Sequence, residues 1–195
     1  MIRFFDIVFS MIGLILLSPL FMILYLMIRL ESKGGGFYTQ ERMGKDGLPF
    51  RLYKFRSMQT GSDKKGLITI GEKDNRITRT GYFLRKYKLD ELPQLWNVFI
   101  GDMSLVGPRP EVKKYTDLYT DEQRQVLKVR PGITDWASIK YVDENKILGE
   151  AKDPDEAYVT LIMPNKIKLN MVYINHQTLG EYFKIIFTTF KEIVR

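Results

Sequence analysis

Between Ile7 and Ile28 the chain carries no charged side chain, a run of 22 residues. As a straight helix rising about 1.5 Å per residue, such a run would reach across a bilayer core of about 30 Å. A cleaved signal peptide fits it poorly: the apolar stretch exceeds the usual roughly 7–15 residues, and no small-x-small site precedes Arg29. A buried core helix fits no better, because only Ser10, Gly13 and Ser18 relieve the apolar surface. Pro19 lies near the middle, lacks an N–H, and sets its ring against the carbonyl of Ile15, so a kink is expected there. The Ser18 hydroxyl is placed to satisfy a freed carbonyl. On the residues alone, a spanning helix and a bent one that leaves on the side it entered both stay open. Arg3 before the run and Arg29 and Lys33 after it do not decide between them. In either case the basic body is expected on the cytoplasmic face.

All 53 charged side chains therefore lie in the other 173 residues. A hydrophobic content of 45% excludes a disordered chain. The lack of cysteine excludes a disulfide scaffold and a cysteine nucleophile, and with His176 alone a structural zinc site is not expected. The net charge of +7 suits nucleic acid, an anionic membrane or a phosphorylated substrate. Its distribution says more. Arg76, Arg79, Arg85, Lys86 and Lys88 occur without an acid among them, and Asp90 and Glu91 follow at once. A cationic run that ends in adjacent carboxylates suits a site for phosphates and a divalent metal.

The body reads as α+β, mostly helical with a small β-hairpin. Gly34–Gly36 breaks the anchor from the body. Phe37–Gln40 and Phe50–Phe55 alternate as strands, with a turn at Met43–Gly47 between them. Residues 59–75 read as a polar mobile loop, 79–100 as two short helices, 111–128 as one or two more, and 153–195 as mostly helical. The stripe of aromatic and Ile residues from Tyr182 to Val194 suits core packing or a membrane interface.

The stretch Leu89–Val98 is the most informative. Pro93 is comfortable in the first turn of a helix, which predicts a start near Leu89 to Leu92, with Leu89, Leu92 and Trp96 on one face. Asp90 and Glu91 then sit at its N-terminus, where a carboxylate or a phosphate is favoured. Pro108 and Pro110 bracket Arg109 and pre-aim its guanidinium, a fork suited to phosphate. Arg130 beside Pro131 and Gly132 repeats the arrangement, and Lys54-Phe55-Arg56 reads as a strand lining a cationic cleft. No Gly-rich dinucleotide or P-loop pattern is present. Carboxylates as the available ligands favour Mg²⁺ over a transition metal.

These pieces, in this order, resemble the bacterial sugar transferase family, the monotopic phosphoglycosyl transferases: the apolar N-terminus with Ser18-Pro19, then Lys54–Met58, Leu89–Asn97, Gly101–Pro110 and Val129–Thr134. The resemblance implies transfer of a phosphosugar from a UDP-sugar to undecaprenyl phosphate at the cytoplasmic face of the inner membrane, with release of UMP. It implies Asp90 as nucleophile through a covalent aspartyl intermediate, Glu91 with Asp90 at Mg²⁺, and Arg109, Lys54, Arg85 and Arg130 on phosphate or nucleotide. It implies a re-entrant helix broken at Ser18 and Pro19, an anchor over 1–32, and a catalytic domain over 33–195 with interfacial C-terminal helices. The length implies the minimal catalytic unit. Membrane lipids are expected partners, nucleic acid is not, and a homodimer is left open. After Thr134 the pattern departs: where the family often continues Gly-Trp-Ala-Gln, this chain reads Asp135-Trp136-Ala137-Ser138. Residues 139–178 carry no family motif, so the sugar stays unnamed. The rival reading is a membrane-tethered, non-catalytic module that binds anionic lipid or nucleic acid. It would tolerate Asp90→Asn.

Overall fold

The computed structural model describes residues 1–62 and 74–194. Most of the polar loop expected at 59–75 lies outside the described residues. The apolar run folds as two helices, α1 (Ile2–Leu16) and α2 (Ser18–Glu31), bent by 61° at Leu17. The bend has the local chemistry expected of it. Pro19 withholds an N–H, and the Ser18 hydroxyl donates to the Ile15 carbonyl at 2.8 Å. Among the described residues no single helix is long and apolar enough to cross a membrane.

The two arms are built into the body. Asp6, beside the apolar run, is 2% exposed. Its Oδ1 accepts from Ser104 Oγ, the Leu105 N–H and the Tyr182 hydroxyl, each at 2.9 Å. A buried carboxylate is tolerable only with such donors. Arg3 donates to the carbonyls of Val98 and Phe99 at 2.6 and 2.8 Å. Those carbonyls close α4 (Gln94–Ile100), so a cation caps the negative end of that helix. Glu31 accepts the Arg79 and Thr80 N–H groups at 2.7 and 2.9 Å, which caps α3 (Arg79–Lys86) from a distant element.

The expected hairpin forms. Strands β1 (Phe37–Met43) and β2 (Pro49–Phe55) pair antiparallel, with Phe37 opposite Phe55 and Tyr38 opposite Lys54. A second sheet was not expected from the sequence. β3 (Ser104–Val106) pairs parallel with β4 (Gly132–Thr134), three residues each, too short for alternation to register. Gly107 and Gly132 make this pairing possible: a Cβ on Gly132 would lie 2.0 Å from the Gly107 nitrogen.

Short helices complete the chain: α5 (Lys113–Thr116), α6 (Trp136–Lys140), α7 (Glu144–Gly149) and α8 (Pro154–Ala157), then a π-helical turn (Tyr158–Ile162) that leads into α9 (Met163–Asn175). The last helix is α10 (Leu179–Val194). Tyr182 and Ile185 of α10 are buried against Val106 and Tyr173, with Phe5 of α1 packed on them. Phe187 and Phe190 face out, 69% and 62% exposed. The C-terminal stripe is thus divided between core and surface. Leu24 and Ile28 of α2 pack with Phe55 and Leu84, while Ile15, Leu16 and Met22 around the bend stay exposed.

Candidate functional site

Asp90 and Glu91 lie at the meeting point of α3, β2 and the Pro108–Glu111 strap. They occupy a separate 3₁₀ turn (Leu89–Glu91), entered through Lys88 in a left-handed conformation (φ 54°), and α4 begins one turn later. The helix expected to start at Leu89–Leu92 begins there as this 3₁₀ turn, continues through Leu92 and Pro93 in right-handed conformation, and becomes α-helical only at Gln94, so α4 itself runs seven residues; the left-handed Lys88 separates the turn from α3. The charge that holds the carboxylates comes from side chains, not from a helix end. The expected apolar face is also turned. Gln94, Asn97 and Val98 are buried while Trp96 is 45% exposed. Asn97 explains the turn: its Oδ1 accepts the Tyr53 N–H at 3.0 Å and its Nδ2 donates to the Arg51 carbonyl at 2.7 Å, which stitches α4 to β2.

Glu91 is the electrostatic hub. Lys54 Nζ donates to its Oε1 at 2.9 Å. Arg109 forks onto both oxygens, Nη2 on Oε1 and Nη1 on Oε2, the latter at 3.2 Å. Burial alone would raise the Glu91 carboxyl, but Arg109 and then Lys54 outweigh it and hold it well below the usual range. The same contact pushes the Arg109 guanidinium up. Burial lowers the Lys54 ammonium, with Glu91 opposing.

Asp90 differs from its neighbour. It is 8% exposed, and burial first and then the charge of Glu91 push its carboxyl up, against Lys54, Arg85 and Lys88. Two adjacent carboxylates are thus driven apart: one is locked as an anion by fixed cations, and the other is desolvated with its carboxyl pushed up. Such divergence marks a candidate catalytic pair.

Asp90 opens into a cavity of about 530 Å³, whose walls include Lys54, Arg56, Arg76, Arg85 and Arg109. Of the cations expected here, Lys54, Arg85 and Arg109 are brought together. Arg130 is not: it lies outside the cavity walls, and its Nε donates to the Gly101 carbonyl at 2.9 Å. Arg56 lines the cavity but has structural work, since its guanidinium donates to Ile28 O and Ser32 O at 3.4 and 2.9 Å and so caps α2. Ser18 and Pro19 stand at the helix bend, outside this cavity. His176, past the end of α9, is exposed.

Sequence reasoning passed over several residues. Asp135, noted as a departure, is fully buried; it accepts the Arg109 N–H at 3.1 Å through Oδ2 and caps α6 through Oδ1. An Asp three residues before Ser138 carried the signal of a helix cap. Glu111, Glu144, Tyr158 and Lys166 also reach the cavity, and no local pattern announced them.

Among the described residues no three His, Cys, Asp or Glu side chains are grouped to hold a metal. Of the two adjacent carboxylates, Asp90 lines the cavity, while Glu91 is outside its walls and has both oxygens engaged by Lys54 and Arg109. A carboxylate open to a phosphate-sized cavity is the kind of donor Mg²⁺ takes beside substrate phosphates and water.

The sequence model of the family described as "Bacterial sugar transferase" matches residues 1–195. The chain is 38% identical over 194 residues to the UDP-N-acetylgalactosamine-undecaprenyl-phosphate N-acetylgalactosaminephosphotransferase of Aeromonas hydrophila, covering 97% of this chain and 42% of that one. It is 36% identical over 197 residues to the UDP-glucose:undecaprenyl-phosphate glucose-1-phosphate transferase of Escherichia coli (strain K12), covering 97% and 39%. It is 44% identical over 137 residues to the "Uncharacterized sugar transferase EpsL" of Bacillus subtilis (strain 168), covering 70% and 67%. The chain thus spans about two-fifths of the length of the first two relatives.

Proposed function

The chain belongs to the bacterial sugar transferase family, and from that premise we propose that it moves a sugar 1-phosphate from a UDP-sugar to undecaprenyl phosphate, with release of UMP. One observation carries the reading: a buried Asp90 with a raised carboxyl beside a Glu91 held ionised by Lys54 and Arg109, at the wall of a cation-lined cavity.

In the first step an Asp90 oxygen bonds to the β-phosphorus of the donor. The bond from that phosphorus to the bridging oxygen breaks, and UMP leaves with that oxygen. In the second step an oxygen of the lipid phosphate attacks the same phosphorus. The bond to Asp90 breaks and a sugar–diphospho-lipid departs. A carboxylate nucleophile divides one displacement into two, and in-line reaction at an anionic centre needs fixed positive charge. Arg109, braced by two prolines, and Lys54 provide it. Asp90 would hold Mg²⁺, which when bound neutralises charge on the diphosphate oxygens.

The bent α1–α2 pair enters and leaves the membrane on one side, the cytoplasmic side, and residues 33–195 form the catalytic part. The exposed apolar side chains around the bend support this, as does Trp96 on a helix packed against α1. A nucleotide-release assay with a UDP-sugar, undecaprenyl phosphate and Mg²⁺ tests the reaction. UMP is expected, and UDP as the product would overturn it.

A further inference from the structure

The cavity that starts at Asp90 does not end at the phosphate-binding cations. Residues 139–178, the stretch without a motif, contribute Glu144, Leu148, Tyr158 and Lys166 to its walls, and the chemistry there differs. Lys166 on α9 is 7% exposed, and its Nζ donates to Glu144 Oε2 on α7 at 2.9 Å. The same ammonium lies 5.5 Å from the centre of the Tyr158 ring. The Tyr158 hydroxyl donates to Glu111, and Arg42 lies 3.7 Å from that carboxylate. Burial and the charge of Glu111 push the Tyr158 hydroxyl up, so it stays a donor.

The two ends therefore differ in charge balance. At the Asp90 end the cations exceed the carboxylates, as phosphate requires. Around Tyr158 each cation, Lys166 and Arg42, is matched by a carboxylate, Glu144 and Glu111. A phosphate offers only acceptors and gains little from a balanced wall. A neutral polyol gains more, because each hydroxyl is both donor and acceptor and a carboxylate beside an ammonium can satisfy both roles. The Pro108–Glu111 strap joins the ends. Arg109 points to Glu91 and Glu111 to Tyr158, two residues or about 7 Å apart along the strap. That span takes a diphosphate-linked group from the reacting phosphorus to its first sugar ring.

We propose that the Glu144–Lys166 ion pair, seated on Tyr158, reads the hydroxyl pattern of the donor sugar. This rests on the phosphoglycosyl transfer proposed above. A site built to pair a particular hydroxyl rejects the epimer that lacks it, because its buried polar groups are then left without partners.

The test uses the full-length protein in membranes with four donors: UDP-glucose, UDP-galactose and their N-acetyl counterparts, each pair epimeric at one hydroxyl. Lys166→Met keeps the packing and removes the charge, and Glu144→Gln is the less buried companion. The expected result is at least about a tenfold fall in the ratio of kcat/KM between epimers, with Lys166→Arg recovering part of it. Inhibition by UDP alone is expected to stay within about twofold, which certifies the fold and the nucleotide end. Variants that slow all four donors alike overturn the proposal. So do variants that weaken UDP instead, or an unaltered protein that turns donors over without discriminating either pair. An unaltered protein that releases no UMP from any donor overturns the transfer reaction itself, and this inference with it.

Discussion

The backbone N–H of Arg109 donates to the buried carboxylate of Asp135 at 3.1 Å, across the parallel β3–β4 pair. Through this contact Asp135, the first residue at which the chain departs from the resemblance, holds the strap whose guanidinium grips Glu91. Asp135→Gly would strand two N–H groups, those of Arg109 and Ser138. Unfolding free energy should fall by about 1–3 kcal/mol. kcat/KM for the donor should fall about tenfold, chiefly through KM, as Arg109 loses its fixed aim. Urea unfolding and steady-state UMP release measure both, and an unchanged kcat/KM would sink the positioning role.

Asp90→Asn should abolish UMP release by at least about a thousandfold. The fold should not suffer. Burial already disfavours the charge on Asp90, so a neutral amide of the same shape should leave the melting temperature unchanged or higher. Without lipid acceptor, a donor labelled in its sugar should leave label on the unaltered protein and none on the variant. Wild-type turnover by Asp90→Asn would favour the tethered, non-catalytic module instead.

The proposed attack by Asp90 requires its ionised form, and its carboxyl lies above the ordinary value of about 3.9. The acid limb of kcat/KM should therefore fall above that pH. Lys54 lowers the Asp90 carboxyl, so Lys54→Met should move the limb to higher pH; a limb that stays or moves down contradicts the assignment. Glu91 acts oppositely on stability. Its folded-state value is depressed, so its contribution is complete above about pH 4.3 and is lost as pH falls through the folded value. Glu91→Gln should flatten that acid dependence in urea midpoints.

Arg56→Lys should destabilise despite the conserved charge. A planar fork reaches Ile28 O, Ser32 O, Ser32 Oγ and Thr60 Oγ1 together, and an ammonium cannot. The expected loss is about 1.5–3 kcal/mol by urea unfolding in detergent. A variant as stable as the parent would show that the cap on α2 is dispensable.

The lack of native cysteine makes the membrane path simple to test. A cysteine in a tag fused at Met1 and one at the exposed Lys33 should both react with an impermeant maleimide from the same side. Labelling from opposite sides would mean that the α1–α2 pair spans.

What could be read from the sequence was what neighbours in the chain decide. The bend at Leu17 follows from a proline without an N–H and a serine that takes up the freed carbonyl. The hairpin follows from alternation around Met43–Gly47, and the Asp90–Glu91 pair stands out because five bases precede it. The tertiary structure decided which charges meet. Lys54 and Arg56 are two residues apart and look alike in sequence, yet one holds Glu91 and the other caps α2. Asp6 sits beside an apolar run with no local reason to be there, until Ser104, Leu105 and Tyr182 arrive from 98, 99 and 176 residues away. Arg130 resembled Arg109 in its setting and was carried elsewhere. Local patterns set backbone conformation because each residue's sterics and hydrogen bonds act on its neighbours. The partner of a buried charge is set by which distant donors the packed fold brings within reach, and no short stretch of sequence contains that information.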